Sequence, residues 1–142
     1  MKLEVKVNFD FGKLEREMPK IIHNYLDRKI RSAERGSKEN IDKGVKPELE
    51  KETIDRRKRR SRTGTKPLYE TGELYRSIHA TEEGLSIQRG GVWHHTGVGN
   101  GRGNSKRFFI QESQKDIMPT FDKFKNETKK ALHLSTPIVL KT

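Results

Sequence analysis

A chain of 142 residues is long enough for one domain with a hydrophobic core and too short for two ordinary domains. Its hydrophobic fraction of 30% and charged fraction of 36% compare with about 45–50% apolar, glycine included, and about 25% charged in typical globular domains. The absence of cysteine excludes disulfides and thiolate metal sites. From this composition we expect a thin core that neighbouring subunits complete. The sequence has no apolar run of ~20 residues and no apolar signal core, so we expect a soluble protein that is made in a cytoplasm and has no membrane partner.

The net charge of +11 is concentrated in one short segment. Residues 56–66 carry seven basic side chains and no acidic one, whereas residues 1–55 carry 13 basic and 12 acidic side chains. The seven are Arg56, Arg57, Lys58, Arg59, Arg60, Arg62 and Lys66. Such a cluster predicts a polyanionic partner, and a solvated helix end is an equally good interpretation. No aromatic residue is interleaved with the cluster, so we expect any contact with nucleic acid to be independent of sequence.

The N-terminal residues predict a strand followed by a helix. Residues Leu3–Phe9 alternate apolar and polar side chains, which is typical of a strand with one buried face. From about Phe11 to Ala33, apolar residues recur at spacings of three and four, which predicts a long amphipathic helix. Pro19 lies in the first turns of this helix, or a short break precedes it. The polar stretch Gly36–Gly44 predicts the end of the helix.

A second helix is expected to begin at Pro47. Acidic residues lie at its N-terminal end and Arg56–Arg60 at its C-terminal end, so its charges complement the helix dipole. The acidic residues are Glu48, Glu50 and Glu52. We call residues 45–66 the basic arm, and we expect it to project from the domain.

The following residues predict an antiparallel sheet. Tyr75–Thr81 and Leu85–Arg89 are predicted as two strands joined by a turn at Glu82-Glu83-Gly84, and Val92–Thr96 as a third strand. Residues 97–105 predict a glycine-rich loop.

The C-terminal part predicts one more helix and a tail. Apolar residues from about Asp116 to Ala131 follow a helical stripe, with Pro119 tolerated in the first turn. Residues 135–142 are predicted as a tail, or as a strand added to the sheet of a neighbour. Together the elements predict one α+β domain over residues 1–142. In it a small antiparallel β-sheet packs against a long N-terminal amphipathic helix and a C-terminal helix, with an extended basic arm.

Residues 67–78 carry no catalytic grouping and predict a structural turn instead. Gly72 can adopt a positive φ at little cost, and the hydroxyl of Thr71 can bond neighbouring backbone groups. Leu74 and Ile78 stand one helical turn apart and are expected to anchor the turn in the core. Farther along the chain, Arg107-Phe108-Phe109 are predicted to join the last strand to the C-terminal helix. There the two phenyl rings anchor the helix and Arg107 reaches a neighbouring subunit.

No catalytic, cofactor or metal site is predicted. His94 and His95 follow Trp93 on a predicted strand, and adjacent strand residues point to opposite faces, so the two imidazoles are poorly placed to share one ion. A structural histidine packed near Trp93 is the favoured interpretation. The glycine-rich loop matches neither the dinucleotide-binding spacing nor the lysine-containing phosphate loop.

Several segments between Pro47 and Phe109 together resemble the tail-completion or virion morphogenesis proteins of tailed bacteriophages of the Mu-like and P2-like kinds. The matching residues are Pro47, Glu48, Leu49, Thr53, Arg57, Lys58, Pro67, Leu68, Thr71, Gly72, Leu74, Ser77, Ile78, Trp93, His94, His95, Thr96, Gly97, Lys106, Arg107, Phe108 and Phe109. The chain departs from the family at Ser105-Lys106, where a proline usually precedes the arginine and aromatic pair, and in its long polar glycine loop.

The resemblance implies a structural virion protein and no enzyme. It implies a homo-oligomeric ring at the neck or tail top that contacts head-tail adaptor or neck proteins and tail tube or terminator proteins. It also implies that the basic cluster and Arg107 serve assembly, with nonspecific contact to packaged DNA as a further role of the cluster. The alternative is an accessory protein that binds nucleic acid without sequence specificity. Such a protein would share only the basic charge and the α+β pattern with the phage family.

Overall fold

The computed structural model describes residues 9–62, 64–97 and 106–133. The elements in chain order are helices α1 (Phe11–Lys43), α2 (Lys51–Arg59) and α3 (Glu73–Ser77), strands β1 (His79–Ala80) and β2 (Leu85–Ser86), and helices α4 (Arg89–Thr96) and α5 (Gln114–Leu132). This mostly helical arrangement with a small antiparallel sheet agrees with the predicted α+β class. Of the predicted first strand only Phe9 is described, and it forms an isolated bridge with His133. Residues 98–105 of the glycine-rich loop and the predicted tail, residues 135–142, lie outside the described ranges.

The two long helices form the frame of the domain, as predicted. Helix α1 begins after Asp10, whose carboxylate accepts a hydrogen bond of 2.8 Å from the backbone N–H of Lys13. The backbone N–H of Asp10 also donates to the carbonyl of Leu132, 2.7 Å away, which joins the start of α1 to the end of α5. Tyr25 of α1 stacks on Phe124 of α5, with ring centroids 4.6 Å apart. The helices therefore run antiparallel over much of their length.

The predicted end of α1 between Gly36 and Gly44 is confirmed at the far limit of that stretch, because the helix continues without a break to Lys43 and Gly44 caps it with a φ of 85°. This stretch is mostly polar because Gly36, Ser37 and Asn40 lie against the backbone of residues 109–113, whereas Ile41 is buried in the core. The side-chain amide of Asn40 donates to the carbonyl of Phe109 over 3.1 Å, and the backbone N–H of Ser113 donates to the carbonyl of Ser32 over 3.0 Å.

Helix α2 begins at Lys51, four residues later than predicted. The carbonyl of Pro47 accepts a hydrogen bond from Nε of Arg107, 3.1 Å away, and the chain enters the helix through extended Glu50. The predicted match to the helix dipole is confirmed, since Glu52 lies in the first turn and Arg56–Arg59 lie in the last.

The predicted β-hairpin is confirmed, with shorter strands than expected. His79 pairs with Ser86 and Ala80 with Leu85 around the predicted turn. The first part of the predicted strand Tyr75–Thr81 is wrong, because residues up to Ser77 form α3. The four-residue spacing of two buried side chains, Leu74 and Ile78, suits a helical turn and overrides the local strand pattern.

The predicted strand Val92–Thr96 is also wrong, because these residues belong to α4. Gly91 allows this helix to lie directly on the core: a Cβ atom there would lie 2.5 Å from Cδ1 of Leu74. The helix ends at Gly97, which has a φ of 74°.

The hydrophobic core is a small cluster at the meeting point of α1, α3 and the irregular segment 106–113. Its buried members are Ile41, Leu68, Leu74, Ile78 and Phe109. Within the described ranges, no helix is both long and apolar enough to cross a membrane.

Candidate functional site

A cleft of about 310 Å³ opens beside the core, between α2, residues 68–74, α4 and Arg107. Three guanidinium groups line it, and we call it the arginine cleft after Arg57, Arg62 and Arg107. The side chains of Leu68 and Leu74 reach it from the core. The cleft therefore brings part of the packed core next to a concentration of positive charge.

Arg57 forms one wall of the cleft and is held firmly in place. Only 12% of its side chain is exposed. Its Nη1 donates to the carbonyls of Gly64, at 2.9 Å, and Lys66, at 3.0 Å, and its Nε lies 3.9 Å from a carboxylate oxygen of Glu70. Arg62 donates to the other oxygen of Glu70 over 2.7 Å. One carboxylate thus lies between two guanidinium groups.

Arg107 lies in residues 106–113, which form neither helix nor strand and lead into α5, and hydrogen bonds from its backbone and side chain fix its position. Its N–H donates to the carbonyl of His94 over 2.7 Å, while its Nε donates to Pro47. Burial lowers the pKa of Arg107, and the nearby charge of Arg57 lowers it further. The two guanidinium groups line the same cleft, where their like charges repel each other. The prediction that Arg107 follows a strand is wrong, because the predicted last strand, Val92–Thr96, lies in α4 and no strand is present among residues 106–113.

His94 also lines the cleft, and its Nδ1 is buried without a hydrogen-bond partner among the described residues. Burial lowers the pKa of His94, and the charge of Arg107 adds to this effect. The imidazole is therefore held in its neutral form beside the arginines. Nowhere in the described ranges do three or more histidine, aspartate or glutamate side chains gather in a group able to hold a metal ion.

The basic arm divides into two parts, which differs from the prediction that all of it projects. Arg57 and Arg62 bond to the domain as described, and Nζ of Lys66 donates to the carbonyl of Asp42. The remaining four basic side chains lie on exposed residues of α2 or at its end. They are Arg56, Lys58, Arg59 and Arg60. Backbone carbonyls and Glu70 draw the first set inward, and the sequence pattern alone does not reveal them.

The residues of the predicted turn have the structural roles expected of them. Gly72 has a φ of 79° and precedes α3, as predicted, and the Oγ1 of Thr71 accepts a hydrogen bond of 3.4 Å from the backbone N–H of Glu73. Ser77 donates from Oγ to the carbonyl of Leu74 over 2.7 Å and accepts from the N–H of Gln88 over 3.2 Å. Pro67, Leu68, Leu74 and Ile78 are all buried.

The aromatic residues near the site are only partly placed as predicted. Phe109 is fully buried in the core, whereas Phe108 is 64% exposed, so only one of the two rings acts as an anchor. Trp93 is half-buried on α4 and lies beneath the guanidinium of Arg89, 5.3 Å from its ring centre.

His95 has a structural role, but with partners that the sequence analysis missed. Its Nδ1 accepts hydrogen bonds from the backbone N–H groups of both Phe109 and Ile110, each 3.3 Å away. These bonds tie α4 to the segment 106–113 that carries Arg107. The predicted strand placed His95 on the wrong element, and two residues more than ten positions away give no local signal of the contact.

We expect acid to weaken the fold through His95. Its Nδ1 must be unprotonated to accept two hydrogen bonds, and burial, followed by the charge of Lys106, lowers its pKa below the ordinary value of 6.5. The unfolded chain therefore binds more protons as the pH falls below about 6.5, so this contribution to stability is complete above that pH and is lost below it. Urea unfolding between pH 7.5 and 5.5 measures the loss.

The control for this prediction is His95→Asn, whose side-chain oxygen can take the place of Nδ1 and does not titrate. The variant should lose less stability than the unchanged protein over the same pH range. An identical loss in both proteins would show that His95 does not carry the acid sensitivity.

No protein-family model, curated protein or solved structure matches this chain. The functional proposal therefore depends on the residues themselves and on how they are arranged.

Proposed function

We propose that this chain is a structural virion protein of a tailed bacteriophage that acts in tail completion or head-to-tail joining, as one subunit of a homo-oligomeric ring at the neck or tail top. It has no enzymatic role in this proposal. Its partners are further copies of itself, head-tail adaptor or neck proteins, and tail tube or terminator proteins. It is made in the host cytoplasm and resides in the virion.

One observation carries the proposal. The segments that resemble phage tail-completion proteins are far apart in sequence, yet their apolar residues meet in one buried cluster. Leu68 and Ile78 come from the turn at residues 67–78, and Phe109 comes from the Arg107-Phe108-Phe109 segment. The same segments supply Arg57 and Arg107 to the arginine cleft. This convergence supports the proposal, because it makes the resembling segments parts of one structural unit.

Exposed apolar side chains on the two long helices support association with further subunits. Ile22 and Leu26 lie one turn apart on α1, and Met118 and Phe121 lie three residues apart on α5. All four are exposed although they belong to helices whose other faces pack against each other. Subunit contacts that cover such residues complete the thin core that the composition predicts.

The proposal is tested in the phage that encodes the chain. Interrupting the gene should give particles whose heads and tails are each formed but not joined, or tails of incomplete structure, and supplying the protein in trans should restore infectivity. Normal particles from the interrupted phage would contradict the proposal.

The four exposed basic residues of the arm favour a second function, namely nonspecific binding of nucleic acid. If all four contact phosphates, the logarithm of the affinity for duplex DNA should fall with the logarithm of salt concentration with a slope of about −3.6. Gel filtration of the protein with and without DNA, at several salt concentrations, detects this binding. Strong DNA binding together with absence from particles would favour the second function over the first.

We expect the four-residue replacement Arg56→Ser, Lys58→Ser, Arg59→Ser and Arg60→Ser to lower the free energy of unfolding by about 2 kcal/mol at most, or about 0.5 kcal/mol per residue, because all four residues are exposed. In the phage it should produce heads and tails that do not join. Arg57→Ser is the contrasting variant, because it leaves the carbonyls of Gly64 and Lys66 without their donor and should lower stability by about 1–3 kcal/mol. Normal assembly of the four-residue variant would show that the exposed part of the arm is only solvated.

A further inference from the structure

An acidic hairpin tip lies elsewhere on the same molecule, away from the arginine cleft. Glu82 and Glu83 are adjacent, exposed residues at the turn between β1 and β2. Neither carboxylate has an ion-pair or hydrogen-bond partner within the described ranges. The tip therefore presents two free carboxylates to whatever approaches it.

The conformation of the tip is fixed by Thr81 and Gly84. The Oγ1 of Thr81 donates to the carbonyl of Gly84 over 2.8 Å and accepts from its N–H over 3.1 Å, and the two backbones share a further hydrogen bond of 2.7 Å. A turn already held in this way has little conformational freedom left to lose on binding.

The arginine cleft has the complementary chemistry. Arg57 and Arg107 line the same cleft, where their like charges repel, and the carboxylate of Glu70 already lies between Arg57 and Arg62. Glu73 lies at the edge of the cleft and supplies a second negative charge. Among the described residues of its lining, three guanidinium groups thus face two carboxylates. Guanidinium groups bind carboxylates in a fixed planar geometry, so a further carboxylate would relieve the repulsion.

The shape of the cleft favours a projecting protein loop over duplex DNA. The guanidinium of Arg57 lies on a largely buried side chain within a concave surface, whereas a duplex presents its phosphates on a broad convex one. The exposed basic residues at the end of α2 are better placed for such a surface. A turn that projects two side chains can enter the cleft.

The tip and the cleft are separate patches of one molecule. The hairpin packs against α1, where the backbone N–H of Ala80 donates to a carboxylate oxygen of Glu34 over 2.7 Å. No residue of α1 lines the cleft. A contact between the tip of one copy and the cleft of the next is therefore head to tail, and contacts of this kind close into rings when the rotation between copies allows it.

We propose that the arginine cleft receives Glu82 and Glu83 of a second copy of this chain, and that this contact joins successive subunits of the ring. The inference rests on the homo-oligomer of the proposed function and names the surfaces that form it.

Charge reversal tests the contact in the full-length chain. Glu82→Arg with Glu83→Arg should weaken self-association by about tenfold or more, and Arg62→Glu should do the same, as followed by sedimentation velocity over a series of protein concentrations. Arg62 is chosen because 43% of its side chain is exposed and it does not hold the loop that Arg57 holds. The variant that combines all three changes should recover association, because the reversed charges attract again.

The matched control is Glu15→Arg with Glu17→Arg, which makes the same change of net charge on exposed residues of α1. It should leave association unchanged, and circular dichroism should confirm that every variant is folded. A combined variant that associates no better than the single reversals would overturn the proposal. So would a control that weakens association equally, or an unchanged protein that stays monomeric at all concentrations. A monomeric protein that is nevertheless present in particles would overturn this contact and leave the virion role standing.

Discussion

Phe109→Ala should lower the free energy of unfolding by about 3–5 kcal/mol, which is a large part of the stability of a domain of this size. The ring is fully buried and packs with Ile41, Leu74 and Ile78, so its removal leaves a cavity where α1, α3 and segment 106–113 meet. Urea unfolding followed by circular dichroism measures the change.

The neighbouring residue provides the control. Phe108 is 64% exposed and its ring lies near the imidazole of His95 and the ammonium of Lys106, so Phe108→Ala should lower stability by about 1 kcal/mol or less. Equal losses for the two variants would show that the core is not centred on Phe109.

Gly36→Ala should also destabilise the fold, by about 1–3 kcal/mol. A Cβ atom at this position would lie 2.2 Å from the carbonyl oxygen of Gln111 and 2.4 Å from the backbone nitrogen of Ser113. Backbone atoms cannot rotate aside, so segment 109–113 must move away from α1 and lose its hydrogen bonds to that helix. Thermal unfolding detects the loss.

Gly90→Ala is the matched control for this substitution. Gly90 also lies in a helix, and a Cβ atom there would meet no other atom within 4 Å. Alanine should therefore be neutral or stabilise α4 by about 0.5–1 kcal/mol. If Gly36→Ala were as stable as Gly90→Ala, the close crossing of α1 and segment 109–113 would be wrong.

The long elements of the fold could be predicted from the sequence, because their apolar stripes extend over many turns. This holds for α1 up to Ala33 and for α5, and the turn signal at Glu82-Glu83-Gly84 located the hairpin. The short elements could not be predicted in the same way. Tyr75 and Val92–Thr96 are typical of strands by residue type, yet both lie in helices, because contacts among Leu74, Gly91 and Phe109 decide their conformation.

The site was predicted in composition but not in arrangement. The charge run around Arg57 is evident in the sequence, and so is the pairing of Arg107 with aromatic residues. The convergence of Arg57 and Arg107 on one cleft is not evident in the sequence. It depends on contacts with Glu70 and with the backbone carbonyls of Pro47 and Gly64, and no sequence pattern predicts these contacts. For the same reason the division of the basic arm into a bound part and an exposed part appears only in three dimensions.

The copy number of this protein in purified phage particles tests the central proposal most directly. Quantitative mass spectrometry against isotope-labelled peptides, with the portal and major tail proteins of the same particles as internal standards, gives that number. A ring subunit at the neck or tail top should be present in a fixed small multiple per particle, in mature virions and in whichever isolated heads or tails carry the ring. Absence from purified particles, or an amount that varies between preparations and falls with washing in salt, would contradict a structural role in the virion.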